Sequence, residues 1–204
     1  MPGKSSTRDR MVAATARLLQ RQGMAATGLA EVLDAAGAPR GSLYHHFPRG
    51  KNQLVAEAVR FSSARITRAI EAAMASPRPL PEAIRAFAAF YENSLSTSGF
   101  RDGCPVAATA LEASGLGATE VEAACAEAFA AWQEPIARRL VADGHSPDRA
   151  EELATFVIAS LEGGLLLAQS ARGMQPPPHR RLEPGRPSAA GHRLSGPPAT
   201  LHPL

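Results

Sequence analysis

Between Arg40 and Lys51 the chain gathers side chains able to hydrogen-bond base edges and phosphates: Arg40, Ser42, Tyr44, His45, His46 and Lys51. On a helix begun at Arg40, Leu43 and Phe47 fall on one side and would pack inward. Gly41, Ser42 and His45 stand opposite them, flanked by Tyr44 and His46. With no side chain at Gly41 such a helix can approach closely, so this face suits the major groove of double-stranded DNA. Tyr44 has a packing role as its alternative, although a phenol at a polar margin usually finds a polar partner. His45 and His46 do not make a metal site: neighbours on a helix point about 100° apart, and no third ligand has suitable spacing.

The elements that must position these residues are readable on either side. Leu29, Val32 and Leu33 recur at helical spacing, Gly37 can take the left-handed conformation that ends a helix, and Pro39 suits the first position of the next, so the spacing predicts a helix-turn-helix over about 28–47. Gly28 takes the N-cap of its first helix with no side chain to cap it. Thr27 is therefore assigned to phosphate from just outside the helix. Ahead of it a bracing helix is predicted, capped by Ser6 or Thr7, with Met11, Val12, Thr15, Leu18 and Leu19 as its apolar stripe and Gly23 as its stop. Gly50 and Lys51 open a long fourth helix to about Ala73, with Leu54, Val55, Ala58, Val59, Ile66 and Ile70 facing a core. Its free N–H groups and dipole would favour phosphate beside the Lys51 ammonium; the alternative is a merely exposed lysine.

At Gly41-Ser42-Leu43-Tyr44-His45-His46-Phe47 the chain resembles the TetR family of bacterial one-component regulators, whose recognition helix commonly reads Gly-Ser-Leu-Tyr-x-His-Phe. The following Pro48-Arg49-Gly50-Lys51 is one residue longer than the usual spacing to the family's lysine. That form, like Gly103-Cys104-Pro105-Val106-Ala107-Ala108 further on, is similar to the LmrA/YxaF-like branch. The resemblance covers roughly residues 7–172. It implies an all-α fold, an N-terminal three-helix head joined by a long helix to a helical body, with a DNA-binding domain over 1–60 and a ligand-binding and dimerisation domain over 61–172. It also implies a homodimer built on the last two helices of each subunit, a DNA operator as partner, and a small hydrophobic or aromatic effector held in the body.

The body itself reads as four further helices. Ser76-Pro77-Arg78-Pro79-Leu80-Pro81 separates it from the long helix. Leu80 to Leu95 forms a fifth helix and Pro105 opens a short sixth, while Thr119-Glu120-Val121-Glu122 is a capping-box start for a seventh that Pro135 should kink. Phe87, Phe90, Tyr91, Phe129 and Trp132, on the fifth and seventh helices, are candidate effector-pocket walls, with an ordinary core as their alternative. The eighth helix, from Ser146-Pro147 to about Arg172, has too much apolar surface for one face. Phe156, Leu166 and Leu167 lie outside its inward stripe and are candidates for a subunit interface. Residues 175–204 hold eight prolines in thirty positions and no apolar period, which predicts a disordered tail where relatives would carry a final helix.

Composition narrows the classes that remain. With 45% apolar and 20% charged residues, 204 residues can bury a core. Residues 1–60 carry 9 Lys/Arg against 4 Asp/Glu, and residues 61–172 carry 9 against 14, which suits a phosphate-binding head on a body that does not bind DNA. No run of 18 apolar residues and no apolar leader predicts a cytoplasmic protein without a membrane partner. Cys104 and Cys125 lack metal spacing; Cys104, at a helix start, could favour thiolate and sense redox change or be an inert buried thiol. No catalytic motif and no cofactor-binding motif is present. The expected function is a DNA-binding transcriptional regulator, a repressor released by its effector. The alternative is a helical small-molecule-binding protein or enzyme in which the helix-turn-helix is only structural.

Overall fold

The computed structural model describes residues 6–173, which fold into α1 (Thr7–Ala26), α2 (Leu29–Ala36), α3 (Ser42–His46), α4 (Lys51–Met74), α5 (Leu80–Thr97), α6 (Pro105–Leu116), α7 (Thr119–Ala142) and α8 (Pro147–Ala171), with no strand among them. The predicted proline-rich tail lies outside the described residues. Local signals set most boundaries. Ser6 caps α1 through a reciprocal pair in which Asp9 N–H donates to Ser6 Oγ at 3.1 Å and Ser6 N–H donates to Asp9 Oδ2 at 3.2 Å. Gly37 ends α2 at φ 58° and Gly117 ends α6 at φ 62°, left-handed positions where a Cβ would be strained.

Three sequence expectations need correction. Gly23 does not stop α1 but kinks it, at φ 74° and ψ −177°, and helix resumes to Ala26. Pro39 lies in the turn before α3 rather than at its first position; its carbonyl accepts from Ser42 N–H at 3.0 Å and Ser42 Oγ–H at 2.6 Å. Thr119 is the first helical residue of α7, so Ala118 holds the cap position and no capping box forms. α7 carries Pro135 in its interior, as the sequence placed it, and buries it.

The head is small and well filled. Met11, Val12 and Leu19 of α1, Val32 and Leu33 of α2, Leu43 and Phe47 around α3, and Leu54 and Val55 of α4 are all buried together. Leu43 and Phe47 thus anchor the short α3, which at one and a half turns could not hold itself helical alone. α4 then carries the head into the body. α7 runs alongside α4 in the same direction, and polar links follow the seam: Arg49 to Glu120, Arg60 to Glu127, Trp132 Nε1–H to Ser63 O, and the Arg139 guanidinium to the carbonyls of Met74, Ser76 and Arg78. α8 packs back on α7 and touches α5, with Ala150, Ala154, Ile158, Leu165 and Ala168 buried along it. Its length and hydropathy match those of a membrane span. Here, however, the apolar surface divides between that buried face and the exposed Phe156, Leu166 and Leu167.

Candidate nucleic-acid interface

Burial of Leu43 and Phe47 turns the opposite side of α3 outward. Arg40, Gly41, Tyr44 and His45 are exposed, Tyr44 at 66%, while Ser42, His46 and Lys51 are half-buried. A phenol exposed to that extent on a helix anchored by buried neighbours is not a core residue and is accessible to a partner. The packing alternative for Tyr44 is thereby removed. The His45 and His46 rings lie edge-on, 4.9 Å between centroids. No cluster of potential metal ligands exists among the described residues. The Phe47 ring carries the Arg8 guanidinium 5.2 Å above it, and Arg8 also pairs with Glu57 at 2.5 Å, tying α1 and α4 to the end of α3.

The turn into α4 completes the surface. Gly50, at φ 74°, lets the chain reverse beside the Tyr44 ring, and Lys51 then opens α4, whose first N–H groups have no side-chain cap. Arg49, in the residue-longer turn, donates to the Glu120 carboxylate at 2.6 and 3.3 Å. The hydrogen bond and charge of Glu120 raise the Arg49 guanidinium above its ordinary value, and Arg49 holds Glu120 below its own. Part of the head's positive charge is therefore neutralised by the body. Thr27 stands apart from this surface. It is 2% exposed and its hydroxyl donates to Gly23 O at 2.6 Å, so it secures the joint after α1 and is not available to phosphate.

The sequence of this region matches known proteins. Residues 11–58 match the model of the bacterial regulatory proteins of the tetR family, and residues 81–176 match that of the LmrA/YxaF-like transcriptional regulator C-terminal domain. An HTH-type transcriptional regulator of Mycobacterium tuberculosis is 39% identical over 173 residues, covering 83% of this chain and 87% of that protein. The chain belongs to the TetR family. The HTH-type transcriptional regulator LmrA of Bacillus subtilis is 37% identical over 170 residues, with 83% and 90% covered. The crystal structure of a TetR regulatory protein from Rhodobacter sphaeroides superposes with a TM-score of 0.71 at 27% identity, over 84% of this chain and 93% of that one. As a TetR-family protein the chain is a DNA-binding transcriptional regulator, and its all-α architecture is that of the family.

The TetR-type body places its singled-out residues less uniformly. Phe87 and Tyr91 form an edge-to-face pair on α5, 5.5 Å between centroids, and Phe129 and Trp132 form another on α7 at 5.3 Å. Trp132 also belongs to the α4–α7 seam through its hydrogen bond to Ser63 O. A recess of about 350 Å³ between α4 and α5 has Phe87 in its wall. The side chain of Phe90 lies outside the described residues. Cys104 caps α6, its Sγ accepting from Ala107 N–H at 3.4 Å. Burial, then the charge of Glu162, pushes its thiol well above the ordinary value. The thiolate that a helix start could favour is outweighed by desolvation, leaving the buried-thiol reading. Phe156, Leu166 and Leu167 are 68, 64 and 71% exposed, as an unpartnered stripe requires. The sequence reading missed Arg49, Glu112 and Arg139. The opposed charges of head and body were the available signal, since Arg49 and Arg60 pair across it.

Proposed function

We propose that this regulator is a homodimeric repressor that leaves a palindromic operator when a small hydrophobic or aromatic molecule enters its body. The observation that carries the reading is the outward face of α3, with Arg40, Gly41, Ser42, Tyr44, His45 and His46 beside Lys51 at the start of α4. Residues 1–60 serve DNA; residues 61–172 serve effector and dimer. A helix-turn-helix dimer reads two half-sites about one helical turn apart, so affinity depends on the distance between two α3 helices. Phe156, Leu166 and Leu167 would bring α8 against its counterpart, with α7 as the second helix each subunit contributes. An operator partner places the protein with the chromosome in the cytoplasm.

The polar links along α4 and α7 favour motion of the two as one block. The effector would then act by changing how α5 and its Phe87–Tyr91 pair pack on that block, redirecting α4 and the head on its end. A ligand that binds only the folded state stabilises it by about 2.7 kcal/mol at 100 times its dissociation constant. A screen of aromatic and drug-like compounds should yield some that raise the melting temperature, perturb Trp132 fluorescence and release DNA together. Compounds that stabilise the protein without releasing DNA would break the proposed linkage.

A further inference from the structure

The kink in α1 is completed by groups from the body. In an unbroken α-helix Met24 N–H would donate to Gln20 O. Gly23, at φ 74°, separates the two, and both halves find partners around α6: Gln20 O accepts from Gly103 N–H at 2.9 Å, and Met24 N–H donates to the Glu112 carboxylate. The same Glu112 oxygen accepts Ala25 N–H at 2.8 Å. Arg21 and Asp102 add an ion pair at 3.9 Å on the same seam. On the head side, Thr27 Oγ–H donates to Gly23 O and Gln22 reaches both Ala26 O and Glu31. A Cβ at residue 23 would meet the Glu112 carboxyl, and the positive φ there strains any side chain besides.

We infer that Glu112 is a positioning residue for DNA binding, a body carboxylate that fixes the joint between α1 and the helix-turn-helix and so sets where α3 stands. The buried Met24 amide at the helix break needs a partner, the exposed Ala25 amide shares it, and a carboxylate accepting both N–H groups acts as a cap supplied from another element. Without it, Met24 and Ala25 lose their acceptor, and the chain leading directly into Thr27 and α2 is free to shift. α4 is then not the sole bridge between body and head. α6 is a second one, and its own N-terminus, at Cys104, lies on the Tyr91 and Glu162 side of the body.

The inference rests on the DNA-binding reading for its consequence but not for its geometry, and the test separates the two. In the full-length protein without DNA, Glu112→Ala should speed amide exchange at Met24 and Ala25 about tenfold or more while the buried stretch of α1 from Met11 to Leu19 keeps its protection. Glu112→Gln, which retains an acceptor oxygen, should fall between. On DNA selected by the wild type, Glu112→Ala should lose much of the discrimination between the selected half-site spacing and spacings one base pair shorter or longer. Gly23→Ala should do the same, since its Cβ displaces the carboxyl. A purely structural role would lower thermal stability and leave spacing selectivity unchanged, which overturns the inference; so does unchanged exchange at Met24 and Ala25. Altered exchange in a protein whose wild type selects no DNA sequence would leave the joint in place and refute the regulator reading instead.

Discussion

Replacing Arg139 with alanine should be among the most destabilising single changes in the body. Its guanidinium donates to Met74 O at 2.9 Å, Ser76 O at 2.9 Å and Arg78 O at 2.8 Å, and to Asp143 at 3.0 Å, with only 18% of the side chain exposed. Those carbonyls end α4 and shape the turn into α5, where the helix dipole already favours a cation. A hydrogen bond to a charged group contributes about 1.5–3 kcal/mol, but water can reach part of the vacated site, so the total should be about 2–4 kcal/mol rather than the sum of three bonds. For a chain of this size that lowers the melting temperature by roughly 4–16 °C. Urea unfolding at fixed protein concentration measures it, because dimerisation makes apparent stability concentration-dependent. The neighbouring Arg138 is the control: its pair with Glu134 is exposed on both sides, and Arg138→Ala should cost no more than about 0.5 kcal/mol. Equal losses for the two variants would refute the assignment of Arg139 as the clasp between α7 and the α4–α5 turn.

Other expectations concern DNA, the dimer and pH. Lys51→Ala should weaken binding almost equally across sequences and reduce the salt slope by about 1, whereas Tyr44→Phe or Arg40→Ala should change operator preference or affinity, as titrations at several salt concentrations would report. Phe156→Glu with Leu167→Glu should give a monomer in sedimentation, while a chain ending after Met174 should dimerise like the full one; a tail-dependent dimer would contradict the interface. Glu120 and Glu127 are held below their ordinary value of 4.5 by Arg49 and Arg60. Their contribution is therefore present above that value and lost as pH falls through the depressed ones. Below about pH 4.5 the melting temperature should fall more steeply for the wild type than for Glu120→Gln/Glu127→Gln, and parallel curves would exclude the pairs as a cause.

The sequence was most legible where one residue type answers one local demand. Apolar spacing, with proline and glycine breaks, located the eight helices of the described residues, and the inward pair Leu43 and Phe47 identified the outward face of α3. Positive φ at Gly37 followed from the turn that had to be made. Legibility failed where the deciding partner is distant in the chain. Gly23 reads as a stop because nothing nearby satisfies Met24 and Ala25; Glu112, 88 and 87 residues away, does. Thr27 reads as a phosphate contact because its hydroxyl has no evident use until Gly23 O turns back toward it. Cys104 sits at a helix start, which favours thiolate, and only the packing of α6 in the body reveals that desolvation wins. The ring pairs Phe87–Tyr91 and Phe129–Trp132, and the bond from Trp132 to Ser63 O, likewise depend on side-chain geometry that helical spacing does not encode.

The most direct test of the outward α3 face is selection of bound sequences from random double-stranded DNA by the purified full-length protein, repeated with Tyr44→Ala and Lys51→Ala. The expected result is an enriched palindrome with one preferred half-site spacing, lost or altered in its base preference with Tyr44→Ala and kept in sequence but weakened with Lys51→Ala. No enrichment by the folded wild type, or the same palindrome bound with undiminished affinity by both variants, would contradict it.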